Sequence, residues 1–257
     1  DAYLMGLFAR ANYKLLDRYL LNASVRRDGH SAFSKDNRWA NFYAFGAGWI
    51  MTEEGFMKDL EWLNMLKLRG SYGITGNTAV SNSMTYLSWG LDTNKVFGVD
   101  YLHGATTVGP MGSKDLKWET TANLDLGFDF GILNNRINGS FAYYTQKVSD
   151  LILLGNVQPS VGFDKNQIYE NVGDLKNWGF EFNVSSVNIE NRNFTWKTDF
   201  NISTNKNKIL TLNAAEQGKG KEESTSIRKE GEALNTYYLA NNVGVDSEKG
   251  IYMIEQR

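Results

Sequence analysis

A chain whose apolar residues recur at every second position has few ways to bury them, and that recurrence constrains this sequence more than anything else in it. From Tyr19 the odd positions read Tyr19, Leu21, Ala23 and Val25, while the even positions from Asn22 read Asn22, Ser24 and Arg26. A period of two is the mark of a β-strand with one apolar and one polar face. Tyr3, Met5, Leu7, Ala9 and Ala11 oppose Gly6, Arg10 and Asn12, with Leu4 and Phe8 as exceptions. The clearest case sets Ala122, Leu124, Leu126, Phe128 and Phe130 against Thr121, Asn123, Asp125, Gly127 and Asp129. Similar alternation runs through 39–50, 66–73, 137–146, 178–185 and 194–203, and more weakly through 234–243. Helical spacing is confined to 53–64, where one short turn is expected.

The connections between these strands divide into two kinds. Short turns are expected at 14–18, 131–136 and 188–193, and longer loops at 27–38, 77–117, 151–170 and 206–236, with 51–64 of moderate length. Short turns at one end and long loops at the other are the arrangement of an outer-membrane barrel. A soluble sandwich, with Greek-key connections and shorter strands, has less reason for the asymmetry. Tyr3, Tyr13, Tyr19, Trp39, Trp49, Trp118 and Tyr143 fall near expected strand ends, where amphipathic rings meet headgroups in a barrel. Read by themselves, these aromatics would also suit the core of a soluble β protein.

Composition agrees with strands. Aromatics make up 13% of the 257 residues, with 25 Gly and only 2 Pro, and proline is excluded from paired strands. The absence of cysteine removes disulfides, thiolate metal sites and cysteine nucleophiles together. A formal net charge of -2 provides no clustered positive surface for nucleic acid. No apolar run of about 18 residues exists to form a transmembrane helix, but a barrel crosses with alternating segments of about ten. The opening "DAYLMGLFAR" lacks the basic region and cleavage site of a signal peptide.

The residues from Tyr19 to Asn77 also resemble a known family. Its marks here are Arg26-Arg27-Asp28-Gly29, Phe33 followed by Asn37-Arg38-Trp39, Gly48-Trp49, Leu66-Lys67-Leu68-Arg69, Ser71-Tyr72-Gly73 and Thr75-Gly76-Asn77. The segments 116–153, 171–184 and 194–210 continue the likeness in order. Together they resemble the SusC/RagA family of TonB-dependent outer-membrane transporters. The resemblance implies an all-β fold, an antiparallel transmembrane β-barrel. Such proteins carry a signal peptide, a TonB-contacting segment and a plug ahead of a 22-stranded barrel. Residues 1–257 are accordingly expected to be an internal part of the barrel domain, with about eight or nine strands and with plug, signal peptide and C-terminal strands absent. The implied location is the outer membrane of a Gram-negative, Bacteroidota-like cell. The implied activity is import of oligosaccharides, or less often peptides, powered by TonB. The implied partners are a SusD-like surface lipoprotein, TonB-ExbB-ExbD acting through the missing N-terminal region, the oligosaccharide and membrane lipid.

Catalytic patterns are sparse. His30 and His103 are the only histidines, both expected in loops, and support neither a Ser-His-Asp triad nor a zinc motif. Asp125 and Asp129, four residues apart on one strand face, stand about 13 Å apart, too far for a glycosidase pair. "GKGK" at 218–221 lacks the spacing of a phosphate loop. No catalytic residue, cofactor or metal is therefore assigned. An outer-membrane barrel enzyme would need a catalytic set at its rim, and an adhesin or structural barrel would show no solute uptake. Arg10, Arg26, Lys67, Arg69, Asp125, Glu181, Lys197 and Asp199 share the polar faces, where they would hydrate a lumen and pair with a plug, or simply solvate a wet surface. In the longest loop, Tyr86, Trp89, Tyr101 and His103, with Phe97, could stack on sugar rings or meet a lipoprotein lid. Packing of the loop on itself is the other reading.

Overall fold

The computed structural model describes residues 3–78, 82–85, 89–96, 103–108, 112–156, 167–213 and 217–255. Alternation becomes strand wherever it was clean. In chain order the first strands are β1 (Leu4–Leu15), β2 (Tyr19–His30), β3 (Trp39–Ile50) and β4 (Leu63–Asn77). A separate ribbon of β5 (Trp89–Val96) and β6 (His103–Val108) follows. The main sheet resumes with β7 (Glu119–Ile132), β8 (Ile137–Asn156), β9 (Gln167–Glu190) and β10 (Thr195–Thr211). Its order is β1-β2-β3-β4-β7-β8-β9-β10, so each strand lies beside its predecessor in the sheet. Every pair is antiparallel. Among the described residues β1 and β10 are its two open edges. Short pieces complete the chain: β11 (Lys221–Glu223), β12 (Ser226–Arg228) and β13 (Thr236–Tyr237), then the pair β14 (Asn242–Val245) and β15 (Tyr252–Ile254).

The pairing register separates the two faces. One row runs Tyr13, Leu21, Ala47, then Gly70, Leu126, Tyr143 and Phe180. The neighbouring row on the opposite face runs Asn12, Asn22, Gly46, then Ser71, Asp125, Tyr144, Gly179 and Asn205. The apolar face is not covered by protein: Phe45, Leu21, Leu126 and Phe200 are 53%, 50%, 49% and 52% exposed. A contiguous apolar face of this size is not left to water by a soluble protein. The fold is a partial antiparallel barrel wall, as expected.

Some boundaries differ from the sequence reading. The strands continue to His30, Asn156 and Thr211 and resume at Gln167, inside segments expected to be loops. In these extensions alternation fades while the hydrogen-bond ladder continues. Trp89 and His103 lie in strands of the separate β5–β6 ribbon, and His30 is the last residue of β2. The turn expected over 53–64 is two 3-10 turns, Met51–Glu53 and Gly55–Met57. The weak strand at 234–243 reduces to β13 and the start of β14, outside the main sheet. Tyr143 is mid-strand, since β8 runs on to Asn156. At the short-turn end Leu133, Asn134 and Asn135 all take left-handed φ of 54°, 57° and 59°. The asparagines suit this region and Leu133 does not, but its N–H is fixed by a 2.8 Å bond to the Trp62 carbonyl.

Trp118 is the main correction. It was expected among lipid-facing rim aromatics, and it is 6% exposed in a cluster with Phe33, Phe42 and Leu116. Phe33 is 0% exposed and stacks on Trp118 at 5.5 Å between centroids. The Trp118 indole N–H donates to the Arg38 carbonyl at 3.0 Å, and Asn37 Nδ2 donates to the Asp115 carbonyl at 3.1 Å. The charged stretch after β2 is thus pinned onto residues 112–118 by an apolar plug of its own.

Candidate functional site

Three groupings of polar side chains mark this wall, one on its wet face and one at each end. On the wet face Arg69 of β4 pairs in register with Gly127 of β7. Its guanidinium lies across that glycine, where an added Cβ would sit 3.0 Å from Nη2. The close approach lets Arg69 reach Asp125 at 2.6 Å and Asp129 at 3.4 Å, and Lys67 stands 4.0 Å from Asp129. The two carboxylates, expected about 13 Å apart from strand rise alone, both lean onto one guanidinium, so each is held by a cation and neither is a free acid or base. All four side chains are between about a quarter and a third exposed, so the ladder adds at most about 1 kcal/mol per pair. Its charges instead give the face a fixed polar pattern.

The other named residues fall on the same face by register. Arg10 faces Ser24, Glu181 faces Ala142 and Ser203, and Asp199 faces Ser185, whose hydroxyl hydrogen-bonds its carboxylate. Lys197 sits beside the irregularity between Trp196 and Lys197. Arg26 holds Asp28 at 2.6 Å, and Asp28 is only 6% exposed. These two border a cavity of about 230 Å³ that Thr75, Asn77 and Trp118 also line. The sequence reading named Thr75 and Asn77 only as family marks, though both stand at polar positions of β4 and line this cavity.

Of the long-loop residues, the structure describes the strand positions of Trp89 and His103. Trp89 pairs with Val108 at one end of the β5–β6 ribbon, and His103 pairs with Val96 toward the other. Tyr86 and Tyr101 lie outside the described residues.

At the long-loop end a polar knot surrounds an irregularity in β8. Asp150 has a left-handed φ of 61° between the shifted pairs Val148–Leu175 and Leu151–Gly173. Its carbonyl accepts from Asn171 Nδ2 at 2.7 Å, its N–H donates to Asp174 at 3.3 Å, and its carboxylate meets Lys117 at 3.0 Å. Glu119, 5% exposed, accepts from the Ile152 N–H at 2.9 Å and from Asn77 at 2.7 Å. None of this had a periodic signal, because the partners come from four separate segments.

At the short-turn end Glu54 gathers Arg18 at 2.8 Å, the Tyr19 hydroxyl at 2.7 Å and the Trp49 indole at 3.0 Å. Those bonds, from Tyr19 first and then Trp49 and Arg18, hold the Glu54 carboxyl below its ordinary range despite partial burial. Tyr19 and Trp49 stack at 6.4 Å, so this clasp ties β2, β3 and the turn after β3. Among the described residues no group of three His, Cys, Asp or Glu is placed to hold a metal.

A wall with one wet face, one apolar face left bare, and short turns opposite long loops is the wall of a membrane β-barrel. The chain belongs to the TonB dependent receptor-like, beta-barrel family, which matches residues 1–236. It is 36% identical to the TonB-dependent receptor SusC of Bacteroides thetaiotaomicron, over 96% of this chain and 26% of that protein. It is 38% identical to the TonB-dependent receptor P3 of Formosa agariphila, over 95% of this chain and 25% of that protein. The chain therefore spans about a quarter of the length of these relatives. Among solved structures, the RagAB peptide importer in its closed-closed state superposes with a TM-score of 0.85 at 25% identity, covering 98% of this chain and 27% of that one. The likeness to SusC and RagA read from the sequence is borne out.

Proposed function

We propose that this chain forms part of the barrel wall of an outer-membrane nutrient transporter that imports oligosaccharides, driven by TonB from the inner membrane. The observation that carries this reading is the 36% identity to SusC, sustained over 96% of the chain. In this reading residues 1–257 belong to the barrel domain, and the plug and remaining strands come from elsewhere in a longer protein. The face bearing Arg26, Lys67, Arg69, Asp125, Glu181 and Asp199 is the lumen, with Arg10 and Lys197. Its charges hydrate the passage and meet the plug. A SusD-like lipoprotein closes the long-loop end, and TonB-ExbB-ExbD acts through the N-terminal region. The wall does no bond chemistry and takes no cofactor.

Tyr86, Trp89, Tyr101 and His103 are proposed sugar contacts, since aromatic faces stack on pyranose rings while polar groups fix orientation. The cavity beside Arg26 and Asp28 opens where β2 and β4 run into their long connections. A peptide importer is the second reading, and the likeness to the RagAB peptide importer favours it. Deleting the full-length gene and following uptake of labelled oligosaccharides and labelled peptides separates the two. Loss of oligosaccharide uptake alone supports the first reading. Loss of peptide uptake alone replaces it with the second, and uptake of both unchanged rejects the transporter.

A further inference from the structure

The apolar face ends in an unusual way across β8, β9 and β10. Lys147 pairs in register with Lys176, and Lys176 with Lys208. One step down the same face Lys206 lies opposite Trp178. The parity of each strand puts all of these on the side that carries Tyr143 and Phe180, facing away from the wet surface. Like charges directly opposite each other in a sheet are destabilising, so the row needs anions. The protein supplies little. Asp174 stands 3.4 Å from Lys147, and the Trp178 ring lies 5.7 Å from the Lys176 ammonium. Among the described residues Lys206 and Lys208 have no ion pair.

The height of the row identifies the source of the anion. Along β10 the same face begins at Trp196, ten residues before Lys206. That is about 33 Å along a strand, or roughly 25 Å of vertical rise at a tilt near 40°, the height of a barrel's apolar band. The lysines thus lie where hydrocarbon gives way to headgroups on the long-loop side.

We propose that Lys147, Lys176, Lys206 and Lys208 bind the phosphate of an anionic lipid in the outer leaflet, with its acyl chain lying down the Tyr143 and Phe180 face. Cations at that level gain from anionic headgroups, and Trp178 beneath them suits an interfacial belt. The inference rests on the membrane placement given above, and cell fractionation separates its failure from that reading's. Full-length protein in the outer membrane but without retained lipid overturns only the lipid site, whereas absence from that membrane overturns the placement itself.

The test uses full-length protein in neutral detergent, native mass spectrometry and added phosphatidic acid, with phosphatidylcholine and inorganic phosphate as controls. The protein is expected to retain phosphatidic acid and not phosphatidylcholine. Each lysine near an anionic surface contributes roughly a fivefold factor, so K147Q/K176Q/K208Q is expected to weaken retention on the order of a hundredfold. The triple Lys→Arg protein should retain the lipid. If the triple glutamine protein does not fold, K206Q, which breaks no ion pair, should weaken retention roughly fivefold. Equal retention by the glutamine variants overturns the proposal, as does equal binding of phosphatidylcholine. Displacement of the lipid by equimolar phosphate would make this an ion site only. Lysine-dependent capture of a surface lipoprotein without lipid retention would make it a protein contact instead.

Discussion

Glu119 uses both of its carboxylate oxygens while almost wholly buried, one for the Ile152 N–H and one for Asn77. Removing the carboxyl leaves a buried backbone donor without a partner, which costs about 1–3 kcal/mol. Glu119→Ala is therefore expected to lower the urea midpoint of the full-length protein in detergent by that equivalent. Glu119→Gln, which keeps an acceptor oxygen for Ile152, should stay within about 1 kcal/mol of the parent. A midpoint for the alanine variant equal to that of the glutamine variant would mean the carboxylate is not what holds the β8 irregularity. Phe33 is a second test at this scale. It is fully buried against Trp118 and Phe42, and truncation to alanine should cost about 3–5 kcal/mol, read from the same unfolding curve. An unchanged midpoint would mean that the charged stretch after β2 needs no apolar anchor.

At the scale of elements, the clasp at the short-turn end predicts a pH dependence. The Glu54 carboxyl is held below its ordinary value of 4.5 in the folded chain, so its ionised form is favoured by folding. The stabilisation is fully present above that ordinary value and is lost as pH falls through the depressed folded value. The melting temperature of wild type should exceed that of Glu54→Gln by a constant margin from neutral pH to about pH 5, then converge with it below the ordinary carboxylate range. A margin that persists undiminished in strong acid would show that shape, not charge, holds the clasp. The strands flanking this turn were legible in the sequence because one face is greasy and the other wet, which fixes the face each residue takes and, with the turn, the register. The clasp itself was not, since Arg18, Tyr19, Trp49 and Glu54 converge only after β2 and β3 pair. The same limit explains Trp118: a tryptophan just before a strand looks like a belt residue until Phe33, some 85 positions earlier, is seen to stack on it. Arg69 and Asp125 were legible as members of one polar face, but their pairing across Gly127 was not.

At the scale of the whole molecule, the two faces differ in what they tolerate. Leu126 lies near mid-height of the exposed apolar face, pairing with Gly70 and Tyr143. Leu126→Arg should destabilise the protein folded into lipid vesicles by about 2–4 kcal/mol. Asn123, three residues away on the wet face, should accept arginine within about 1 kcal/mol. Equal losses at both positions in denaturant titrations would contradict the assignment of faces.

The seam between β4 and β7 carries a further meaning. The chain leaves the sheet at Asn77 and re-enters at Glu119, and these two residues are register partners joined by a 2.7 Å hydrogen bond. The excursion between them starts and finishes at neighbouring points of a wall whose hydrogen-bond ladder is complete without it. Residues 86–111 can therefore be rewritten in sequence and length at small cost in loop-closure entropy, which grows only slowly with length. Such a seam works as a port for interchangeable inserts, since the wall on either side keeps its pairing whatever the insert. For the engineer, the same seam is the place to graft a foreign recognition loop.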